Sequence, residues 1–234
     1  MLLQRFLDPT PDSGNIIIDN LELRQIPHST IRKRIIALPQ SPFLLTDGST
    51  VRDNLQFNVS RHVSATQDEE NVEILQMVGL WDFIQKTGGL TSELRANSLS
   101  YGQKQLFCLA RAVLRKRICD RLVIHHSKIV DSPVNGLQGK RGILILDEFN
   151  AGVDNNTDKL MQSVIDREFS RYTVLCVAHK LEQLMDYDRV AVMEEGEITE
   201  VGNPRELLRM IGSKFRDLWF EGRAENDSPP ATVS

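Results

Sequence analysis

The chain has 234 residues, 41% apolar and 26% charged, with a formal net charge of −4. That size fits one large globular domain, or one domain with tails, and it is ample for a core. The charge supplies no general basic field and so gives no support to a nucleic-acid role. No apolar run approaches the roughly 20 residues of a membrane helix, and residues 1–6 are too short and wrongly flanked for a signal peptide.

Residues 15–19, a β-branched run after Gly14, predict a strand. Residues 27–34 predict a short helix capped by Ser29 or Thr30, and 35–38 a second strand closed by Pro39-Gln40. Residues 68–86 read as helical, with Asp68 as a cap. There Val72, Leu75, Met77 and Val78 form a 3.6-residue stripe that Trp81, Phe83 and Ile84 continue on a second helix. From 100 to about 116 runs an amphipathic helix whose inward face is Leu106, Leu109, Ala110, Val113 and Leu114. Three buried strands are expected at 143–146, 173–178 and 189–193, with a helix at 157–169 between the first two. Residues 196–200 form a hairpin arm and Pro204 starts a closing helix to 210. Strands alternating with helices imply a right-handed, mostly parallel α/β sheet. The polar stretch 223–234 is expected to be disordered. Cys108, Cys119 and Cys176 form no C-x-x-C and read as small core residues in a reducing compartment.

Two segments carry chemistry. Ile143-Leu144-Ile145-Leu146-Asp147-Glu148 is an apolar strand ending in two acids at the sheet's carboxyl edge, where α/β proteins bind ligands. There Asp147 would hold Mg²⁺ and Glu148 would polarise an attacking water; taken alone, the pair is equally a solvated strand end. In Leu99-Ser100-Tyr101-Gly102-Gln103, Ser100 caps a helix whose first turn offers free N–H groups and a dipole to a terminal phosphate. An ordinary capped helix would look the same. Gln40 after Pro39 would reach Mg²⁺ and water through its amide oxygen, or simply be a turn residue. His179 after the 173–178 strand would bond a phosphate oxygen, or be structural. A phosphate loop of the form G-x-x-x-x-G-K-[ST] does not occur. Gly139-Lys140 is no substitute, because Val134 stands at its first glycine position and Arg141 follows the lysine.

The order of Pro39-Gln40, Leu99-Ser100-Tyr101-Gly102-Gln103, Ile143 to Glu148, Asp154 and Ala178-His179 resembles the ATPase domain of ABC transporters. It matches that family's Q-loop, signature motif, Walker B strand, D-loop and H-loop along nearly the whole chain. Ser41-Pro42-Phe43-Leu44-Leu45 and Thr50-Val51-Arg52-Asp53-Asn54-Leu55 look like the exporter branch. The resemblance is closest to the second ATPase domain of C-subfamily, multidrug-resistance-protein-like exporters. It implies a P-loop NTPase-like sheet with a helical signature subdomain, and here the first strand and phosphate loop would be missing. The ATPase domain would span 1–222, with the helical subdomain at about 56–115 and an insertion at about 117–141.

The resemblance further implies ATP and Mg²⁺, the metal being held by Gln40 and Asp147. Glu148 and His179 would be catalytic, and Ser100, Gly102, Gln103 and Asp154 would bind nucleotide across an interface. It implies a second ATPase domain facing this one head to tail, and a transmembrane domain that holds the chain at the cytoplasmic face of a membrane. Two departures stand out. Tyr101 replaces the usual first signature glycine, adding bulk beside the phosphate, and the 117–141 segment is longer than usual. Cys119, His125 and His126 in that segment match no tetrahedral metal site, so a surface loop is expected. Rival readings are a non-catalytic regulatory module and a soluble ABC-type ATPase. The latter would show a coiled-coil insertion or basic arms, which are absent.

Overall fold

The structure is a computed structural model that describes residues 2–7, 10, 14–45, 48–57, 65–127, 142–178 and 180–226. It divides into two units, Met1–Cys176 and Val177–Ser234.

The first unit opens with a hairpin, β1 (Ile17–Ile18) against β2 (Leu21–Glu22). Asp19 and Asn20 turn it with φ of 50° and 63°, a left-handed pair that short polar side chains tolerate. The strand expected at 15–19 is therefore confined to Ile17 and Ile18, and Asp19 is turn. Helix α1 (His28–Arg34) begins at Pro27, whose φ of −56° already suits a helix entry, and no side chain caps it. Neither Ser29 nor Thr30 is the cap. Strand β3 (Ile35–Leu38) follows directly and lies parallel to β4 (Gly142–Asp147), with Ile35 opposite Ile143 and Leu38 opposite Leu146. Strand β5 (Tyr172–Val177) completes the order β3-β4-β5, so β4 is flanked on both sides. Gly142 is needed there: a Cβ would stand 2.5 Å from the Arg34 carbonyl oxygen and 2.7 Å from the Tyr172 ring.

Helix α2 (Val51–Leu55) starts with a reciprocal cap between Thr50 and Asp53. Helices α3 (Ala65–Met77) and α4 (Trp81–Lys86) separate at Gly79, φ 70°. They pack with α5 (Tyr101–Ser127) and α6 (Asn155–Glu168). The expected inward face of α5 is buried, and Phe107, Leu109, Ala110, Val113 and Leu114 are wholly inaccessible. They share one core with Leu75, Val78, Leu144, Leu146, Met161 and Ile165. Each buried Leu or Phe contributes about 1.5–3 kcal/mol.

Helix α5 runs well past the expected end at 116. Its basic second half is held by acids from other helices: Arg117 contacts Glu168 at 3.0 Å and Glu73 at 3.1 Å. Lys116 contacts Glu168 at 3.3 Å, and Arg121 contacts Glu70 at 2.7 Å. Residues 117–127 are therefore helix rather than inserted loop, and 128–141 lie outside the described residues. Burial works to raise the Glu168 pKa, but the Arg117 hydrogen bond and charge, with Lys116, leave it below the ordinary value. A lowered folded pKa means stability that is present above the unfolded Glu value, about 4.3, and lost as pH falls through the folded one. The melting temperature should accordingly exceed that of Glu168→Gln at pH 7, with the gap closing below about pH 4. A gap independent of pH would refute this role for Glu168.

Strand β5 is not buried throughout as expected. Its side chains alternate, leaving Leu175 43% and Val177 56% exposed.

In the second unit β6 (Val190–Glu194) pairs antiparallel with β7 (Glu197–Gly202), again with one accessible face. Glu195 and Gly196 turn the arm with φ of 49° and 86°. After α7 (Pro204–Leu207), capped by Asn203, the chain forms a separate helix, α8 (Lys214–Asn226). Glu200 accepts hydrogen bonds from Ser213 Oγ at 2.9 Å and from the Phe215 N–H at 2.8 Å, placing a carboxylate at the start of α8. Val190, Val192, Leu207 and Phe215 form this unit's core. Helix α8 takes in the first four residues of the tail expected to be disordered; 227–234 lie outside the described residues.

Candidate functional site

Parallel pairing sets the site. Leu38 lies opposite Leu146 near the ends of the two strands, and Gln40 and Glu148 each follow two residues on. The Gln40 side-chain amide donates to Glu148 Oε2 at 2.7 Å across 108 residues of sequence. A carboxylate only accepts, so the amide nitrogen faces Glu148 and the amide oxygen, expected to point at a metal, is turned away from it. Glu148 has φ 44°, a left-handed backbone uncommon for a residue with a side chain. The turn beyond it is closed by Ala151 N–H to the Glu148 carbonyl at 2.9 Å and by Asn150 Nδ2 to Asp158 at 2.7 Å. Asp147 is exposed at the strand end.

Asp154 is the N-cap of α6, accepting from the Asn156 N–H at 3.0 Å, the Thr157 N–H at 3.1 Å and Thr157 Oγ1 at 2.7 Å. The Thr157 hydroxyl, with these backbone donors, holds its carboxyl below the usual range. The helix expected from 157 thus begins at Asn155.

Ser100 and Gln103 cap α5 reciprocally. The Gln103 N–H donates to Ser100 Oγ at 3.2 Å, and the Ser100 N–H donates to Gln103 Oε1 at 2.9 Å. The Ser100 hydroxyl proton remains available to an acceptor, while the Gln103 side chain is engaged within the cap. Gly102 lies against the 153–157 turn; a Cβ there would meet Thr157 Cγ2 at 3.5 Å and Val153 Cγ1 at 3.7 Å. Ser100, Gly102, Gln103 and Asp154 therefore gather at the facing ends of α5 and α6, and Gln40 with Glu148 at the ends of β3 and β4. His179 lies outside the described residues.

Tyr101, noted in the sequence only for its bulk, and Gln105, which the motif reading passed over, join these groups. The Tyr101 hydroxyl donates to the Gln40 carbonyl at 2.8 Å. Gln105 Nε2 donates to the same carbonyl at 2.6 Å and to the Tyr101 oxygen at 3.2 Å. The bulk expected of Tyr101 is thus turned onto the Gln40 backbone. The available signal was Gln105, a polar residue beside the apolar run from Leu106.

Asp147 and Gln40, the residues expected to hold the metal, offer hard oxygen donors of the kind that suits Mg²⁺, which takes few protein ligands and completes its shell with phosphate and water. Among the described residues no group of three His, Cys, Asp or Glu side chains could hold a metal unaided. None of the described helices is long and apolar enough to cross a membrane.

The ABC transporter family profile matches residues 1–119. The chain is 45% identical over 222 residues to the ABC-type transporter braE of Annulohypoxylon truncatum, an alignment covering 94% of this chain and 14% of that protein. It is 39% identical over 212 residues to ABC multidrug transporter B of Aspergillus fumigatus, covering 91% and 12%. The chain thus spans about one seventh of the length of these relatives. Among solved structures, a bacterial Atm1-family ABC exporter with ATP bound superposes with a TM-score of 0.73 at 24% identity, over 98% of this chain and 34% of that one. With the profile spanning half of the sequence and the shared fold nearly all of it, the chain belongs to the ABC transporter family and has the α/β fold of that family's P-loop NTPase-like ATP-binding domain.

Proposed function

We propose that the chain is an ATP-binding and ATP-hydrolysing domain of an ABC-type exporter, closest in kind to the second ATPase domain of C-subfamily transporters. The observation that carries this reading is the 2.7 Å contact of Gln40 with Glu148 at the ends of two parallel strands, beside Asp147. Glu148 would orient the attacking water and take its proton, work worth about 10²–10⁴ in rate. Asp147 and the Gln40 amide oxygen, once turned from its present pose, would hold Mg²⁺. When bound, that ion neutralises charge on the transferring phosphoryl group.

Ser100, Gly102 and Gln103 would present the start of α5 to the terminal phosphate of ATP seated in a second ATPase domain packed head to tail. Asp154 would communicate across that interface, and His179 would donate to the γ-phosphate. A transmembrane domain, contacted around residues 40–54, would hold the chain at the cytoplasmic face of a membrane. These residues include no phosphate loop, so the triphosphate would be gripped by a loop outside this stretch. The loss of three charge-assisted bonds of about 1.5–3 kcal/mol each weakens binding by three decades or more. Alone, then, the chain should neither bind ATP tightly nor turn it over. That same gap in the motif set favours the second reading, a non-catalytic ABC-like module.

Cross-linking separates them. A Ser100→Cys chain mixed with an intact ABC ATPase domain carrying a cysteine in its phosphate loop should form a disulfide that depends on MgATP. Cross-linking that is absent, or indifferent to nucleotide, would overturn the composite site.

A further inference from the structure

Gln40 is exposed, and a solvent-facing glutamine is ordinarily free to rotate. Here its main chain is not free. Its carbonyl accepts at once from Tyr101 Oη at 2.8 Å and Gln105 Nε2 at 2.6 Å, both from the first two turns of α5. Donors and acceptors run in one direction: Gln105 gives to Tyr101, both give to the Gln40 carbonyl, and the Gln40 amide gives to Glu148. The two bonds that share the Tyr101 hydroxyl polarise each other, and the Gln40 side chain is linked to them by the position of its backbone.

Gln105 is wholly buried, and its Oε1 has no hydrogen-bond partner. An unmet buried acceptor is unfavourable, and leucine or methionine would fill the same space without it. Packing alone therefore does not account for a glutamine here; its amide nitrogen does. Tyr101 is 42% exposed, and a phenylalanine would keep its ring while removing only the donor.

We infer that Tyr101 and Gln105 are positioning residues: they clamp the Gln40 backbone so that its side-chain amide stays on Glu148, tying the first turn of α5 to the carboxylate after β4. The inference rests on the reading of Glu148 as the residue that handles water. It adds a link within one chain from the end that would meet a partner's nucleotide to that carboxylate. While the clamp holds, one Glu148 oxygen is engaged by Gln40. Pulling on the start of α5 loosens it.

The test uses the 234-residue chain with ¹⁵N-labelled glutamine side chains and no nucleotide. In Tyr101→Phe the Gln40 side-chain amide resonances should move toward free glutamine, and their exchange with water should quicken roughly two- to tenfold, the worth of one net hydrogen bond. Gln105→Leu should do the same. In a Glu148→Ala background Tyr101→Phe should add little, because the acceptor it serves is gone. Unmoved Gln40 resonances in both Tyr101→Phe and Gln105→Leu, or an equal Tyr101→Phe effect in the Glu148→Ala background, would overturn the clamp. Without nucleotide in the sample, such failure leaves the ATPase reading standing, and failure of the cross-linking leaves the clamp standing.

Discussion

Glu148→Gln should lower ATP turnover about 10²–10⁴-fold while leaving ATP affinity near its starting value, when the chain is fused behind the phosphate-loop segment of an intact ABC ATPase domain. The glutamine is isosteric and still accepts through its carbonyl, but it does not take a proton from water. Its uncharged carbonyl also gives Gln40 a weaker partner than the carboxylate now 2.7 Å away. Steady-state phosphate release and equilibrium nucleotide binding, measured on the same fusion, separate kcat from affinity. Turnover that survives in Glu148→Gln would remove Glu148 from the chemistry. A fusion that binds ATP, never hydrolyses it and is indifferent to position 148 would move the chain to the non-catalytic reading.

The largest effect on stability is expected at Phe107. The side chain is wholly buried at the centre of the core that joins α5 to α3, α6 and the sheet. Its ring also lies 5.5 Å from the Arg111 guanidinium. Arg111 in turn donates to the carbonyls of Phe43 and Asn54, so one helix face supports both the hydrophobic centre and the segment after Gln40. Phe107→Ala should cost about 3–5 kcal/mol, transfer and cavity together, against a total of about 5–15 kcal/mol for a domain. Urea titration should show a much earlier midpoint with little change in slope. Phe43→Ala, at a ring 55% exposed, should shift it little. Similar midpoints for the two variants would mean that α5 is not the centre of the fold.

What could be read from the residues was whatever local pattern decides. Strands 35–38 and 143–146 were legible because both are continuous apolar runs, and their ends located Gln40, Asp147 and Glu148 without coordinates. What stayed hidden depended on distant partners. Helix α5 looked finished at 116 because its basic second half finds its acids, Glu70, Glu73 and Glu168, on other helices. Helix α8 went unforeseen because its capping carboxylate, Glu200, stands on a strand. Asp154 was noted for its motif, while its capping of α6 follows from Thr157 and Asn156 lying within its reach. The role of Tyr101 was the least legible: a bulky residue in a glycine's place reads as an obstruction until its hydroxyl is seen on the Gln40 carbonyl.

Because Gln40 and Glu148 meet two steps beyond the same rung of the β3–β4 ladder, their meeting depends on strand register and not on the number of residues between them. An insertion in an exposed turn of that spacer leaves the rung in place. A single-residue deletion within 35–40 is another matter: it would carry the glutamine off its rung and turn alternate side chains to the opposite face. Families built this way should tolerate large indels between their motifs and almost none inside them.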